Sequence, residues 1–585
     1  MPTAPYKALD FKGLTPAVEP TRSQDIYALN GKNYIFDSIG PKSAFGDRLL
    51  MPQAILNPAH AQGIRLKLRN GDRCFKFFGS GIYEWVEDVG GLVPIYLTPN
   101  TLTQPYRWTW AYLNDVMYFN HPLTGIIAYD LIENECAKLT APGTPTEVLW
   151  ITECNGRLVA MTTLYFAWSE QSNGAAWAPS LGGAGFQLIS DRLPGFPVAA
   201  TSYAKGVLTW TSGGVMRSEF TGDKEVFRHR ALNTEYRLIN PFCTFNTDEN
   251  TVVILDERGL FQSRGEAPTA YAPLFNEFLI NYLQENDLKV EQNCRLEWDE
   301  LRRLLFVSVS MSRYDPIYEK CFVLYPPMDK WGQFDTPHYG IFPLKIADSA
   351  RADDYYGFLG QDGRIRHWMK TGSREILPTD TSVNLYYPSI QKPFIESYGD
   401  EGLTLSSSMT LNTFSRASHF GGVAGFYPRD GHDLSPATLT GLDAWIHIGL
   451  LRTDGDIGND EMTEVTQVLV RSNVSGDVDA VSIDYNLVPS GTADQDYNVS
   501  TGTQDFGVEP LNYVNSKIRV ISTIDGVSEF QSAEQELVGF VKGGRYYAGT
   551  TVGLWHVLEI RAEEVGEAFF LKSFELTWAY AGRLM

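Results

Sequence analysis

The chain has few cysteines, few cations and no long apolar run, and each shortage excludes something. Cys74, Cys136, Cys154, Cys243, Cys294 and Cys321 are its only cysteines; they lie far apart and never as C-x-x-C. A secreted disulfide scaffold is far denser, so these read as reduced, buried thiols of a chain folded in a cytosol. They also lack zinc-ligand spacing, and no metal or cofactor is expected. The nearest thing to a membrane span, around Leu92 to Trp110, is cut by Pro94, Pro99 and Pro105. The opening MPTAPYKALDFKG has no apolar heart of a signal peptide. A soluble protein without a membrane anchor is the expectation. Lys and Arg number 48 against 70 acids, a formal net charge of −22. So acidic a chain is a poor general binder of phosphate backbones, because it has few cations to displace their counterions.

What is present is β structure. Aromatics make up 13% and charged residues 20% of the 585 residues; such a chain can bury a core, and its length allows roughly two to five domains. Stretches such as 157–168 (RLVAMTTLYFAW) and 304–310 (LLFVSVS) are rich in branched and aromatic residues and bounded by turn residues. One helix stands out over 271–286, where Leu274, Phe275, Phe278, Leu279, Tyr282 and Leu283 recur at three- and four-residue steps. Its apolar stripe needs a sheet face or blade edge as partner.

Six segments repeat one plan of polar turn, apolar strand, short loop and second strand. They begin near Tyr112, Asn155, Tyr203, Glu249, Asp299 and Asp353, at offsets of 43, 48, 46, 50 and 54 residues. That spacing suits a four-stranded propeller blade of roughly 40–50 residues. An earlier stretch from Gly63 (GIRLKLRNGDRCFKFFGSGIYEW) starts the series or supplies the strand that closes the ring. The reading is therefore mainly β: a β-propeller of six or seven blades over 64–377, after an N-terminal arm of 1–63. A stack of β-sandwiches is the competing reading.

Beyond Pro378 the character changes. Residues 378–585 hold 12 basic and 28 acidic side chains, a net of −16, against −6 for the preceding 377. Strand signals return at Ala444–Leu451, 465–470, 478–485 and 517–522, and then at 554–561 and 568–580, which flank a Glu563-to-Glu567 hairpin turn. This reads as an acidic, antiparallel, β-sandwich-like domain with long loops.

Enzyme signatures are absent: there is no G-x-x-x-x-G-K-[ST], H-E-x-x-H or G-x-S-x-G. The nine histidines are scattered and read as structural. Glu170 to Trp177 has the outline of an Asp-box turn, but Ser172 stands where its Asp belongs, so a hairpin with a packed Trp is expected. Asp454, Asp456, Asp460, Glu461 and Glu464 form an acidic run. On a calcium loop Gly458 and Val465 would fall at ligand positions, so a solvated loop is the better reading.

Residues 169–185 (SEQSNGAAWAPSLGGAG), 206–217 (GVLTWTSGGVMR) and 227–240 together resemble the tail nozzle and packaged-DNA stabilisation proteins of short-tailed phages. Gly259-Leu-Phe-Gln with the following helix, the opening 25–50 segment and the closing strand near Trp578 are similar to that family as well. The resemblance covers about 25–370 and the last thirty residues. It implies a non-enzymatic virion protein assembled in the host cytoplasm, a homohexameric ring under a tail adaptor or head-completion protein. Fibres or a plug would be further partners. Such a ring extends the portal channel, retains packaged double-stranded DNA and conducts it at ejection. A hexamer would carry six times the chain's negative charge, and an acidic wall lets DNA slide rather than stick. Asp454, Asp456, Asp460, Glu461 and Glu464 are then candidate channel-lining acids. The rival reading is a carbohydrate-binding or carbohydrate-cleaving, sialidase-like tail propeller, which needs an acid–base pair or an arginine cluster at the propeller axis. A third is a receptor-binding tail protein.

Overall fold

Seven sheets built on four antiparallel strands, five of them four-stranded and the last two extended to six, follow one another along the chain and close into a ring. The structure is a computed structural model. It describes most of residues 26–376, short strands at 5–8 and 11–14, and strand segments between 438 and 583; residues 377–437 and 472–515 lie outside the described residues. The innermost strands of the blades are Gln62–Leu66, Thr109–Leu113, Trp150–Cys154, Pro197–Tyr203, Thr244–Asn246, Cys294–Asp299 and His338–Leu344.

Closure is shown by the packing. Blades one and two share Phe75, Phe77, Trp108 and Phe119. Blades two and three share Tyr118, Ile151, Leu158 and Trp177. A continuous core joins blades three to six. Phe306, Val323, Ile341 and Phe358 join six to seven. Finally Phe342, Leu344 and Leu359 of blade seven pack with Cys74, Phe78 and Tyr83 of blade one. A stack of sandwiches would lack that last interface.

The repeat seen in the sequence is the middle hairpin of each blade. Arg157–Met161 and Tyr165–Trp168, one stretch in the sequence reading, are paired strands of blade three. Second strands such as Arg157–Met161, Gly206–Thr211, Val252–Asp256 and Leu304–Val309 are buried at every residue. Their two faces are covered by neighbouring blades, which is why they read as continuous apolar runs rather than alternating ones. Turns into these strands use left-handed pairs, Asn114–Asp115 and Asn155–Gly156, all with positive φ. Asn and Gly tolerate that geometry, and it matches the twist of a two-residue hairpin.

The stretch from Gly63 is most of a complete blade, the first, so there are seven. The ring's closing strand is Gly46–Ala54, which pairs antiparallel with Arg364–Met369 of blade seven. Tyr34–Phe36 and Pro41–Ser43 extend blade six. Segments that the sequence reading set apart as an N-terminal arm are therefore integral to the last two blades.

The helix occupies Pro273–Glu285, between the last strand of blade five and the first of blade six. Phe275, Leu279 and Leu283 are buried, and Phe278 and Tyr282 meet the Phe322 ring of blade six edge-on. Asn276 Oδ1 accepts the Leu260 N–H at 2.7 Å and its Nδ2 donates to Leu260 O at 3.0 Å, which ties the helix to blade five. Leu274, counted on the apolar stripe from sequence, is 48% exposed at the first turn.

Two further sheets form the second β unit. In one, Ile26–Lys32, Ala444–Leu451, Trp555–Ala562 and Ser516–Thr523 pair in that order. In the other, Pro5–Ala8, Ser573–Arg583 and Glu461–Arg471 pair antiparallel. The expected hairpin across Glu563 to Glu567 does not form: its two strands belong to different sheets. Each finds a partner of its own length elsewhere, Trp555–Ala562 between two strands and Ser573–Arg583 along the eleven residues of Glu461–Arg471. The strand expected at 478–485 lies outside the described residues.

Candidate functional site at the propeller axis

The seven innermost strands enclose a cavity of about 1060 Å³. They run the same way along the axis, so their first residues sit at one end and their last at the other. The two ends differ in chemistry.

At the first end two arginines close the axis. Arg107, just before the inner strand of blade two, donates from Nη1 to Pro241 O at 3.0 Å and Thr244 O at 2.7 Å, at the start of blade five. Its guanidinium lies 5.2 Å from the Trp150 ring centre and 5.8 Å from that of Trp110. Arg295, on blade six, donates to Tyr339 O of blade seven at 3.2 Å and to Ala61 O ahead of blade one. Its Nε pairs with Glu297, and Phe242 lies 5.1 Å from the guanidinium carbon. These two side chains brace the ring across its axis and along its inner rim.

Burial governs their protonation. It pushes Arg107 down to about 10, helped by the like charge of Arg295, while Glu297 opposes. It also raises the Glu297 carboxyl, against the pull of Arg295 and Arg107. Arg107 stays charged at neutral pH, because about 10 is still well above it.

The other end is an open, polar mouth. Lys67 of blade one pairs at 3.0 Å with Glu300, in the turn after the innermost strand of blade six, with both side chains exposed; Asn155, Asn246 and Arg303 also line the cavity. Between mouth and floor, Thr109, Thr152, Thr201 and Ser202 line the wall together with Trp298, Tyr203 and Tyr356.

The residues singled out from sequence lie elsewhere. Glu461 and Glu464 stand on the Glu461–Arg471 strand of the second β unit, opposite Arg583 and Ala579. Asp454, Asp456 and Asp460 lie outside the described residues. Glu170 to Trp177 forms a tight turn in which Trp177 is 2% exposed and packs between blades two and three. Gly174 is required there, since a Cβ would meet the Tyr118 ring at 2.5 Å. His229, His338 and His556 are buried, and each bonds a serine hydroxyl, at 2.8, 3.0 and 2.8 Å. Burial holds all three at about 4, so they are neutral at physiological pH. All six cysteines are free and five are buried. Among the described residues no three His, Cys, Asp or Glu could hold a metal, and no helix is long and apolar enough to cross a membrane.

Sequence reasoning missed Arg107, Arg295 and Glu297. A signal existed in Cys294-Arg295-Leu296-Glu297-Trp298-Asp299, where charges alternate with apolar residues and so share one face of the strand. What it could not show is that this face points at the axis.

No family profile matches the chain, and no curated protein matches it. Solved structures with a similar outline include the extracellular domain of the putative hybrid two-component system BT3049 from B. thetaiotaomicron. It is 11% identical with a TM-score of 0.37, over 58% of this chain and 44% of that one. The β-propeller domain of Cps50 (Swd1) from Myceliophteria thermophila is 9% identical with a TM-score of 0.34, over 55% of this chain and 99% of that one. YCF48 bound to a D1 peptide is 10% identical with a TM-score of 0.31, over 55% and 96%. This chain spans less than half of the two-component sensor domain. The seven-bladed architecture rests on the strand order and inter-blade cores of the chain itself.

Proposed function

We propose that the chain is a non-enzymatic subunit of a short-tailed phage tail, a nozzle protein. Copies of it, six in the expected ring, extend the portal and adaptor channel, hold back packaged DNA and conduct it during ejection. The observation that carries the reading is mechanical. The propeller is a closed block whose axis is braced by Arg107 and Arg295, and strands from both ends of the chain knit it to an acidic β unit. That is the build of a part that transmits load. The axis cavity, at about 1060 Å³, is on the scale of roughly 300–1,000 Å³ small-molecule sites. DNA therefore passes along the axis shared by the copies, not through one propeller, and the acidic unit carrying Glu461 and Glu464 is the candidate wall.

The resemblance of segments 169–185, 206–217 and 227–240 to nozzle proteins supports this reading. The carbohydrate-cleaving alternative needs a free acid–base pair at the axis. The carboxylates there are engaged: Glu297 with Arg295, Glu300 with Lys67, and Glu153 with the Gly156 N–H at 2.7 Å. Light scattering after size exclusion, with electron microscopy of the particle, tests the nozzle. A ring beneath the portal is expected, with weak duplex DNA binding by the isolated protein. Release of polysaccharide fragments, or tight salt-sensitive duplex binding, would overturn it.

A further inference from the structure

We propose that the braced floor of the propeller axis is a binding site for a small monocarboxylate, which enters from the Lys67–Glu300 mouth and docks on Arg107. This inference does not rest on the nozzle reading.

The first argument is charge balance. The charged groups acting on Arg107 are Arg295 and Glu297, two cations counting Arg107 itself against one carboxylate. The other acids of the lining are occupied away from the floor, Glu153 at its own turn and Glu300 at the mouth. Among the described residues, one positive charge at the floor thus has no acid of its own. Arg107 is half-buried, so the surplus charge is partly withdrawn from water yet still open to the cavity, and an anion there supplies the missing partner.

The second is the donor inventory. A guanidinium carries five N–H donors. Those of Arg295 are directed to Glu297, Tyr339 O and Ala61 O. Arg107 bonds only through Nη1, to Pro241 O and Thr244 O. Its Nε and Nη2 make no hydrogen bond to a described residue, and together they form the side-on fork that a carboxylate accepts in two parallel bonds. Trp110 and Trp150 fix the plane of that fork. A pre-oriented arginine loses little freedom on binding, which favours affinity.

The third is the match of ligand to site. One net positive charge suits a monoanion, whereas a phosphate carrying more than one charge would leave an excess. The wall above Arg107 offers hydroxyls from Thr152 and Ser202 beside the faces of Trp298 and Tyr356, and the cavity has room for a body of monosaccharide size. A sugar acid or another hydroxylated monocarboxylate fits this pattern better than a bare apolar acid.

Calorimetry on the full chain at low salt tests the proposal, with acetate, glucuronate, glucose and inorganic phosphate as probes. Saturable one-to-one binding of glucuronate, weaker binding of acetate and none of glucose are expected, with a change in tryptophan fluorescence. Arg107→Gln should weaken glucuronate by roughly tenfold or more. Because Arg107 also braces blades two and five, that variant can lose its fold, so Glu297→Gln is the second. It keeps the Arg107 braces, adds one net positive charge at the floor, and should tighten glucuronate several-fold. The proposal is overturned by absence of saturable carboxylate binding up to about 20 mM in folded protein. It is equally overturned by phosphate binding more tightly than glucuronate, or by Glu297→Gln leaving the affinity unchanged.

Discussion

The ring and the second β unit are both mainly antiparallel β structure, yet they bury their strands to different extents. In the ring, whole strands such as Leu304–Val309 are buried on both faces, and the charges at the axis are tied to main-chain carbonyls. In the β unit both patterns occur: His556 to Ile560 are buried without a break, whereas Ile518 and Val520 are inside with Lys517 and Arg519 half-buried between them. Residues 378–585 hold −16 of the chain's −22, but the described strands among them carry acids and bases in equal number, so the surplus lies outside the described residues. The lesson is that a strand side chain can stay charged without a protein partner only where one face of its sheet is free to meet water or another molecule. A blade pressed between two others has no such face.

The contrast is broken most severely at the strand the two ends of the ring share. Removing residues 1–54 takes away Gly46–Ala54 and leaves Arg364–Met369 as an open edge on blade seven. Loss of cooperative unfolding in a circular-dichroism melt is expected, with aggregation through the exposed edge. A truncated chain that melts cooperatively near the full-length temperature would show that the ring closes without this strand.

Acid should act next, and mostly on the ring. Burial holds His121, His229 and His338 of the ring, and His556 of the β unit, at about 4. In the unfolded chain a histidine titrates near roughly 6.5, so the unfolded state binds more protons in between. Stability is therefore complete above about pH 6.5 and is lost as the pH falls toward about 4, by up to roughly 3 kcal/mol for each histidine. Urea midpoints measured from pH 7.5 to 4 check this, and a flat profile would contradict it.

A smaller effect is expected from the charge cluster of the β unit. Burial alone would raise Glu559, but hydrogen bonds from His447 and Arg519 hold it down to about 2. The stability it contributes is present above the ordinary carboxylate range near 4.5 and is lost as pH falls through about 2. Glu559→Gln should cost about 1–3 kcal/mol at pH 7, because Arg519 and His447 lose a charged acceptor. Denaturant unfolding that separates the two units would place this loss in the β unit alone.

The smallest effect sharpens the functional side of the comparison. Glu461→Gln with Glu464→Gln should change stability by less than about 0.5 kcal/mol if these side chains only face water. If they belong to a DNA-facing wall, the same pair should make duplex DNA adhere measurably to assembled rings at low salt. A large stability loss instead would mean that they are structural.

Much of this was legible in residue order. Ala444–Leu451 was expected at those bounds, because its alternation is clean. The helix at Pro273–Glu285 was visible from its three- and four-residue apolar steps. The hairpin turns were visible because Asn155–Gly156 needs a left-handed backbone that few residue types supply. The hairpin across Glu563 to Glu567 misled for an instructive reason: a short stretch of three glutamates with Val565 and Gly566 between two strand signals looks alike whether the chain turns back or crosses to another sheet. Only the pairing of Ser573–Arg583 with Glu461–Arg471 decides between them.

The candidate site shows the limit more sharply. Local order determined the strands, the turns, the middle hairpins of the blades and the segregation of acid into the last third, since each depends on neighbours a few residues apart. It could not determine that Arg107 reaches Thr244, or that Arg295 reaches Ala61, 137 and 234 residues away in the chain. Those contacts exist only once seven blades close a ring and bring their first strands to one axis. The brace, the surplus charge beside it and the cavity above it are properties of that closure, because the electrostatic partners of a buried charge are set by distance in space and not by position along the chain.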